Sequence, residues 1–227
     1  LLAWTKEFAV EGVAGEDING LLQEALVKEG LSNVQPAAVI NDTVAVQLAA
    51  AYADPAVCIG SIYATGFNAS YLESYADKAA KPQILNLEAG RFSKLMPSCY
   101  DNELDDLSAD PGEQRLEKMV SGRYLGRLFS LALADCWHTK EDFSFTSRDL
   151  SVLLQDDSAG MEKAGQLLAV KTGRQLTLEE AAMVRDIART FTTRSARLAA
   201  AVYAGILWHL GTDKERHIAV DGALYAK

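Results

Sequence analysis

The sequence feature that most constrains the fold is an abrupt change of pattern at residues 41–43. A short apolar run, Ala38 to Ile40, reads as a buried strand, and apolar residues at helical spacing follow it. These residues are Val44, Leu48, Ala51 and Tyr52. Asn41 and Asp42 therefore lie at a predicted strand-to-helix corner, where open α/β proteins place ligand-facing groups on a rigid scaffold. The alternative, which this stretch favours when it is taken by itself, is that Asp42 or Thr43 only caps the helix.

Composition places the chain among globular proteins and argues against several classes. Hydrophobic residues make up 49% of the 227 positions, and the net charge is -9. An acidic chain without a dense Lys/Arg cluster is not expected to bind nucleic acid. The longest apolar run, Leu198 to Trp208, is too short to form a membrane span. The three cysteines lack metal-ligand spacing, so we expect no metal site and a reducing, cytoplasmic setting.

Three strands are predicted after the corner helix, at residues 57–63, 68–73 and 83–88. The turn Ala64-Thr65-Gly66 joins the first two and can present backbone N–H groups to an anion, because its residues are small. Glu88 falls at the end of the third strand. Successive antiparallel strands followed by a helix-rich remainder predict an α/β or α+β lobe with helices covering the sheet.

Most of the remaining segments are predicted to be helical, and residues 217–225 are predicted to form a strand, an Asp-Gly turn and the start of a second strand. Residues 16–29 form a predicted helix, and its buried stripe is expected to contain Leu21, Leu22, Ala25 and Leu26. Acidic residues 100–110 read as a solvated loop. From residue 147 onward, helices are expected near 148–154, 160–170 and 178–210. The last segment is expected to be two helices, because residues 190–193 are poor helix formers.

A long helix is also predicted to begin at Pro111, with Leu116, Val120 and Leu128 on its apolar stripe. Glu117 falls on the same face. A buried carboxylate needs donors such as a hydroxyl-rich ligand, a cation or backbone N–H groups. The alternative is that Glu117 lies in the hydrated first turns, where the helix dipole stabilises a negative charge.

Six segments, in this order, resemble eukaryotic-type hexokinases and glucokinases. They are Trp4–Phe8, Ile40–Val44, Ala64–Asn68, Asn86–Gly90, Pro111–Met119 with Ser121–Gly126, and Val220–Tyr225. The resemblance implies an α/β, actin-like and ribonuclease-H-like two-lobed sugar kinase fold, incomplete at both ends. Residues 1–42 would complete the small lobe, and residues 43–227 would form most of the large lobe. No signal peptide is expected.

The resemblance also implies an activity, which is ATP-dependent phosphorylation of the 6-hydroxyl of a glucose-like hexose. The implied sugar ligands are Thr5, Lys6, Asn41, Asp42, Asn68, Glu88 and Glu117. Asp42 would be the general base, and Lys6 would steady the reacting oxygen. ATP, with Mg²⁺ bound through its phosphates, would contact a second set of residues. These are Ala64, Thr65, Gly66, Arg123 and Ala223.

Several positions depart from the family pattern. The Gly-Thr-Gly turn of the family reads Ala64-Thr65-Gly66 in this chain, and the Asp-Gly-Ser motif reads Asp221-Gly222-Ala223. The family also has a segment that lines the adenosine pocket, Phe-Glu-Thr-x-x-x-Ser, and we match it to Met161–Leu167. An aromatic residue usually follows the Glu88 position, and this chain has Ala89.

These departures leave two alternatives to a hexose kinase. One is an N-acetylglucosamine kinase variant, because the missing ring beside Glu88 opens space. The other is a hexokinase-like regulatory or sugar-sensing protein with weak or no turnover. Residues 1–227 alone lack the early Asp-Leu-Gly-Gly-Thr phosphate loop and the late Gly-rich segment of the family, so we expect them to be inactive by themselves.

Overall fold

The computed structural model describes residues 10–73, 81–211 and 214–224. It divides into two compact units, Leu1–Asn41 and Asp42–Lys227. The described part of the first unit contains helix α1, Ile18–Lys28. Asp17 caps this helix by accepting hydrogen bonds from two backbone N–H groups. The predicted helix is confirmed to within two residues at each end, but no residue of it is fully buried.

The strand predicted at Ala38 to Ile40 is wrong. These residues have no regular structure, and Val39 and Ile40 are 56% and 52% exposed. A strand needs a neighbouring backbone to satisfy its N–H and C=O groups. Within the described residues, no strand pairs with this segment. Apolar composition alone therefore did not identify a strand here.

The second unit contains one mixed sheet with the strand order β3-β2-β1-β4. Its strands are β1 Val57–Tyr63, β2 Phe67–Glu73, β3 Gln83–Asn86 and β4 His217–Asp221. The first three strands are antiparallel, as predicted, and β4 runs parallel to β1. Strand β3 ends at Asn86, so Glu88 lies beyond it, in a left-handed conformation with φ of 49°. A short 3-10 turn, Ala89–Arg91, follows.

Helix α2, Asp42–Ala53, packs directly on β1. Its buried side chains are Thr43 and Gln47, whereas Leu48 and Tyr52 are 48% and 95% exposed. The predicted apolar face of this helix is therefore wrong. The helix contacts the sheet at Gly60, where a Cβ would lie 2.4 Å from the Thr43 carbonyl oxygen. Close backbone contact replaces a layer of apolar side chains at this point.

Gln47 joins α2 to the sheet through buried hydrogen bonds. Its Nε2 donates to the Cys58 carbonyl oxygen over 2.9 Å, and its Oε1 accepts from the Ser70 hydroxyl over 2.9 Å. One side chain therefore connects the helix that begins at Asp42 to both β1 and β2. A buried amide satisfied on both sides fixes the register of the two layers.

In the described part of the chain, the helical layer contains six further helices. They are α3 Cys99–Asp106, α4 Arg115–Val120, α5 Gly122–Cys136, α6 Ser147–Gln155, α7 Glu162–Thr172 and α8 Leu178–Leu210. The last four share an apolar core that includes Phe129, Leu153, Leu168 and Val184. No helix among the described residues has the length and apolarity needed to cross a membrane.

Three predictions in this region are wrong. Residues 99–106 form helix α3 instead of a solvated loop, with Asp101 and Asp105 buried against cations. The helix predicted from Pro111 is two helices, because Ser121 has extended backbone angles between α4 and α5. Helix α8 is continuous from Leu178 to Leu210, and within it Thr190 and Thr192 donate their hydroxyls to carbonyl oxygens of the preceding turn.

The Gly60 contact predicts a steric effect. We expect Gly60→Ala to lower the free energy of unfolding by about 1–3 kcal/mol, because the added methyl overlaps the backbone of α2. Gly165→Ala in α7 is the matched control, since its Cβ meets no atom within 4 Å and alanine is favoured in helices. Urea unfolding of both variants measures the difference. Equal stability of the two would contradict close packing of α2 on β1.

Candidate active site

Asn68 connects strand β2 to the segment that carries Glu88. Its Oδ1 accepts the Ala69 N–H over 2.8 Å and the Ala89 N–H over 3.0 Å. Its Nδ2 donates to Oδ1 of Asn86 over 2.8 Å, and Nδ2 of Asn86 donates to Oε1 of Glu88 over 2.7 Å. The polar chain from Asn68 through Asn86 to Glu88 brings two of the implied sugar ligands together.

Glu117 lies on α4 and is buried, with 2% of its surface exposed. Its Oε2 accepts the backbone N–H of Phe67, at the start of β2, over 3.3 Å. It also packs against Gly90, where a Cβ would lie 3.0 Å from the Glu117 Cβ and 2.8 Å from Oε1 of Gln114. The buried interpretation of Glu117 is therefore confirmed. Its carboxylate lies between Phe67, the neighbour of Asn68, and Gly90, two residues after Glu88.

An apolar cluster holds these segments in place. Phe67, Ala89, Leu116 and Val120 pack together with Tyr63, so the sheet end, the 3-10 turn and α4 share one core. Edge-to-face contact between the rings of Tyr63 and Phe67, with centroids 5.9 Å apart, adds to this packing. The polar groups therefore project from a rigid apolar base.

Asp42 is the first residue of α2 and is exposed. Its Oδ1 accepts the N–H of the next residue, Thr43, over 2.8 Å. An N-cap side chain accepts from the second or third N–H of the helix, so this contact does not support the interpretation of Asp42 as the cap. Thr43 contacts Gly60 of β1, and Ile62, two residues farther along that strand, pairs with Asn68. Two residues of a strand span roughly 7 Å. Helix α2 therefore begins over the region of the sheet that carries Asn68.

The remaining implied sugar ligands belong to the first unit. Asn41 is its last residue and precedes α2. Thr5 and Lys6 lie outside the described residues.

The turn at residues 64–66 is held by backbone hydrogen bonds. Ala64 donates its N–H to the Gly66 carbonyl oxygen, and it accepts from the N–H of Gly122 at the start of α5. The Thr65 carbonyl oxygen accepts from the N–H of Arg123 over 3.4 Å. Described non-glycine residues with positive φ do not include Ala64, so alanine causes no left-handed strain there.

A cavity of about 190 Å³ opens beside this turn. Ala64, Thr65 and Ala223 all line it, so three of the implied nucleotide residues meet at one place. Gly66 and Arg123 are not among the lining residues. Arg123 contacts the turn through its backbone, and its guanidinium lies 5.7 Å from the centre of the Tyr124 ring.

Helix α6 supplies lining residues that the motif comparison missed, namely Ser147, Arg148 and Ser151. A capping box between Thr146 and Asp149 starts this helix, so Ser147 and Ser151 lie on its first turns and one face. The signal in the sequence was Phe145-Thr-Ser-Arg-Asp-Leu-Ser151, which preserves the Phe and Ser of Phe-Glu-Thr-x-x-x-Ser.

The match of the adenosine-lining segment to Met161–Leu167 is wrong for this cavity. Met161 is 4% exposed and belongs to the helical core, against which Leu167 also packs. Apolar side chains in a core cannot present hydroxyls to a nucleotide.

A larger cavity, of about 510 Å³, lies beside the 3-10 turn. Glu88 and Ala89 line one wall, and Leu198 and Val202 of α8 line another. Apart from Glu88 and Arg91, its lining residues are apolar or glycine. The small side chain of Ala89 leaves this space open directly beside Glu88.

The antiparallel strands, the parallel β4 and the covering helices define the α/β fold of a two-lobed sugar kinase. The solved hexokinase of Schistosoma mansoni, complexed with glucose, superposes with a TM-score of 0.85 at 30% identity, covering 99% of this chain and 56% of that chain. A second solved hexokinase gives a TM-score of 0.83 at 32% identity, covering 99% of this chain and 54% of that one.

Sequence comparison gives the family. Two sequence models, both described as hexokinase, match residues 1–52 and 58–227, and the chain therefore belongs to the hexokinase family. It is 36% identical to Hexokinase-7 of Oryza sativa subsp. japonica and 34% identical to the hexokinase of Emericella nidulans. These matches cover 99% and 100% of this chain and 54% and 51% of the two relatives, so the chain spans about half their length.

The hydrogen bonds of Asn68 predict a local stability effect. We expect Asn68→Ala to lower the free energy of unfolding by about 1–3 kcal/mol, because the Ala89 N–H loses its acceptor in a partly buried place. Asn86→Ala removes bonds at an exposed position, and its effect is expected to stay within about 0.5 kcal/mol. Urea unfolding compares the two variants. A larger effect from Asn86→Ala would contradict the conclusion that the Asn68 side chain holds the segment that carries Glu88.

Proposed function

We propose that this protein transfers the γ-phosphoryl group of ATP to the 6-hydroxyl of a hexose, with Asp42 as general base. One observation carries the proposal. Asn68, Glu88 and Glu117 converge on one end of the sheet, where the helix that begins at Asp42 also packs. The glucose complex of the Schistosoma mansoni relative supports a hexose as the ligand.

The same proposal assigns the lobes and the remaining ligands. Residues 1–42 would be the end of the small lobe, and residues 43–227 would form most of the large lobe. Thr5, Lys6 and Asn41 are assigned as sugar ligands by the family resemblance alone, as is the role of Lys6 in steadying the reacting oxygen.

The residue types suit a neutral polyol. Each hexose hydroxyl both donates and accepts, so the amide of Asn68 can bind either way, whereas Glu88 and Glu117 only accept. Hydrogen bonds to a carboxylate are about twice as strong as neutral ones, so these two residues select the positions of the hydroxyls. A sugar without the matching hydroxyl would leave buried Glu117 with one donor fewer, which lowers affinity.

In the transfer step, Asp42 accepts the proton of the 6-hydroxyl while that oxygen forms a bond to the γ-phosphorus. The bond between the γ-phosphorus and the bridging oxygen of ATP breaks, and ADP leaves with the electron pair. General base catalysis contributes roughly 100- to 10,000-fold to such a step. Mg²⁺ bound to the nucleotide phosphates would offset their charge.

The cavity beside the 64–66 turn is our proposed nucleotide site. Thr65, Ser147 and Ser151 offer hydroxyls, and Arg148 offers a cation that suits phosphate oxygens. Ala223 lines the same cavity. Ala64 uses its N–H within the turn, so phosphate binding would depend on the other groups.

Substitution of the base tests the proposal. In the intact protein, Asp42→Asn is expected to lower kcat by about 100- to 10,000-fold, because the amide cannot accept the proton, while the Kd for glucose stays within about threefold. Asp106→Asn, at an exposed position of α3, is the matched control and is expected to keep full activity. A coupled assay with glucose, mannose, fructose and N-acetylglucosamine measures turnover, and calorimetry measures binding.

The regulatory alternative makes a different prediction in the same experiment. A wild-type protein that binds hexose and turns over none of the four sugars would contradict the kinase proposal and favour a sugar-sensing protein. Activity that survives Asp42→Asn unchanged would contradict Asp42 as the base.

The apolar cavity beside Ala89 favours a second candidate substrate, a hexose with an acylated 2-amino group. At about 510 Å³ it has room for an acetamido group beside Glu88. We expect Ala89→Trp to fill this space and to lower kcat/KM for N-acetylglucosamine at least about tenfold, while the value for glucose stays within about threefold. Glucose turnover by the same variant is the internal control. Equal changes with both sugars would contradict this second candidate.

A further inference from the structure

Lys118, which follows Glu117 on α4, is an unusually buried lysine. Its exposed fraction is 3%, close to the 2% of Glu117. Its Nζ donates three hydrogen bonds: to Oδ1 of Asp105 over 2.7 Å, to Oγ of Ser108 over 2.8 Å and to the carbonyl oxygen of Asp110 over 2.7 Å. All three donor positions of the ammonium group are therefore occupied by fixed acceptors.

Asp105, on α3, binds three groups, two from α4 and one from the segment that leads into it. Besides Lys118, its carboxylate accepts the N–H of Gly112 over 2.9 Å and Nη1 of Arg115 over 2.5 Å. Burial raises the pKa of Asp105, but the hydrogen bonds from Lys118, Gly112 and Arg115 outweigh it and leave that pKa below its usual value. The carboxylate is therefore ionised at neutral pH.

Helix α4 depends on contacts from outside itself. It has six residues, begins after Gln114 in a left-handed conformation and lacks a side-chain cap at its first turn. Helices this short do not hold their conformation alone. Asp105 forms ion pairs with Arg115 and Lys118 of this helix. Glu117 of the same helix contacts Phe67 and Gly90.

A buried ion pair contributes little net stability, because desolvation of the two charges offsets their attraction. Such a pair instead fixes the relative positions of its two residues, since the charges bind well in one arrangement only. Lys118 is adjacent in sequence to a side chain whose direction the proposed function requires.

We propose that Lys118 and Asp105 are positioning residues that hold the Glu117 carboxylate in the orientation needed to bind a hexose hydroxyl. The inference rests on the proposed function, in which Glu117 is a sugar ligand. Neither residue touches the sugar. Because Glu117 would bind the hydroxyl in both the ground state and the transition state, misorientation of α4 weakens binding more than it slows the chemical step.

A matched control is available on α3, the helix that carries Asp105. Asp101, one turn before Asp105 on α3, is equally buried at 4%, and it accepts hydrogen bonds from Nη1 and Nη2 of Arg194 over 2.7 and 2.8 Å. This second buried pair links α3 to α8 instead of to α4. Arg194→Met therefore breaks a comparable interaction whose two partners both lie outside α4.

The experiment compares hexose binding and turnover in the intact protein. We expect Lys118→Met to raise the KM and Kd for glucose by about tenfold, with kcat within about threefold. Ser108→Ala, which removes one of the three acceptors, is expected to raise KM by about threefold without loss of folding. Lys118→Arg retains the cation and is expected to recover most of the affinity. Arg194→Met is expected to lower the unfolding temperature and to leave KM unchanged.

Each result decides between positioning and general stability. An unchanged KM in both Lys118→Met and Ser108→Ala, or an equal rise of KM in Arg194→Met, would overturn the inference while leaving the proposed function intact. A wild-type protein that binds no hexose would overturn the proposed function and this inference together. If Lys118→Met fails to fold, Ser108→Ala supplies the decisive KM value.

Discussion

The buried carboxylate of Glu117 imposes the strictest constraint on this structure. Only 2% of Glu117 is exposed, and a buried carboxylate must be surrounded by donors or it destabilises the fold. Here the backbone N–H of Phe67 donates to it, and Gly90 allows close approach because it has no side chain. The start of β2, the 3-10 turn and α4 must therefore meet at one point, which joins the sheet to the helical layer.

A second polar contact fixes the position of helix α2 on the same sheet. Gln47 is buried between α2 and the sheet and binds both Cys58 and Ser70. With the backbone contact at Gly60, it sets where α2 begins and so where Asp42 lies on the sheet. Helices α2 and α4 are thus both positioned by buried polar groups with satisfied partners, whereas apolar packing holds the elements together. Geometry of this kind suits catalysis, which depends on accurate placement of charged groups.

Local pattern predicted the parts of the fold that local forces determine. Strands β1 and β2, helices α6 and α7 and the end of α1 follow from periodicity, capping residues and glycine. The predictions failed where distant partners decide the outcome. Asp101 is buried because Arg194, 93 positions away, binds it, and no window around residue 101 contains that information. The strand prediction at Ala38 to Ile40 failed because an apolar run forms a strand only when another strand pairs with it.

The candidate site was predictable through motifs rather than periodicity. Asn68, Glu88 and Glu117 are far apart in sequence, and only the family resemblance joined them before the structure linked them by hydrogen bonds and close packing. The nucleotide side was predicted less well. Ser147 and Ser151, which line the proposed nucleotide cavity with Thr65, were missed because Met161–Leu167 was matched to the adenosine-lining motif.

The most direct test of this account is a crystal structure of the intact protein with a bound hexose. The account predicts the 6-hydroxyl within about 3.2 Å of the Asp42 carboxylate, the distance at which proton transfer is possible, and other hydroxyls on Asn68, Glu88 and Glu117. A hexose bound at another surface, or a 6-hydroxyl far from Asp42 with Glu117 contacting no sugar atom, would contradict it.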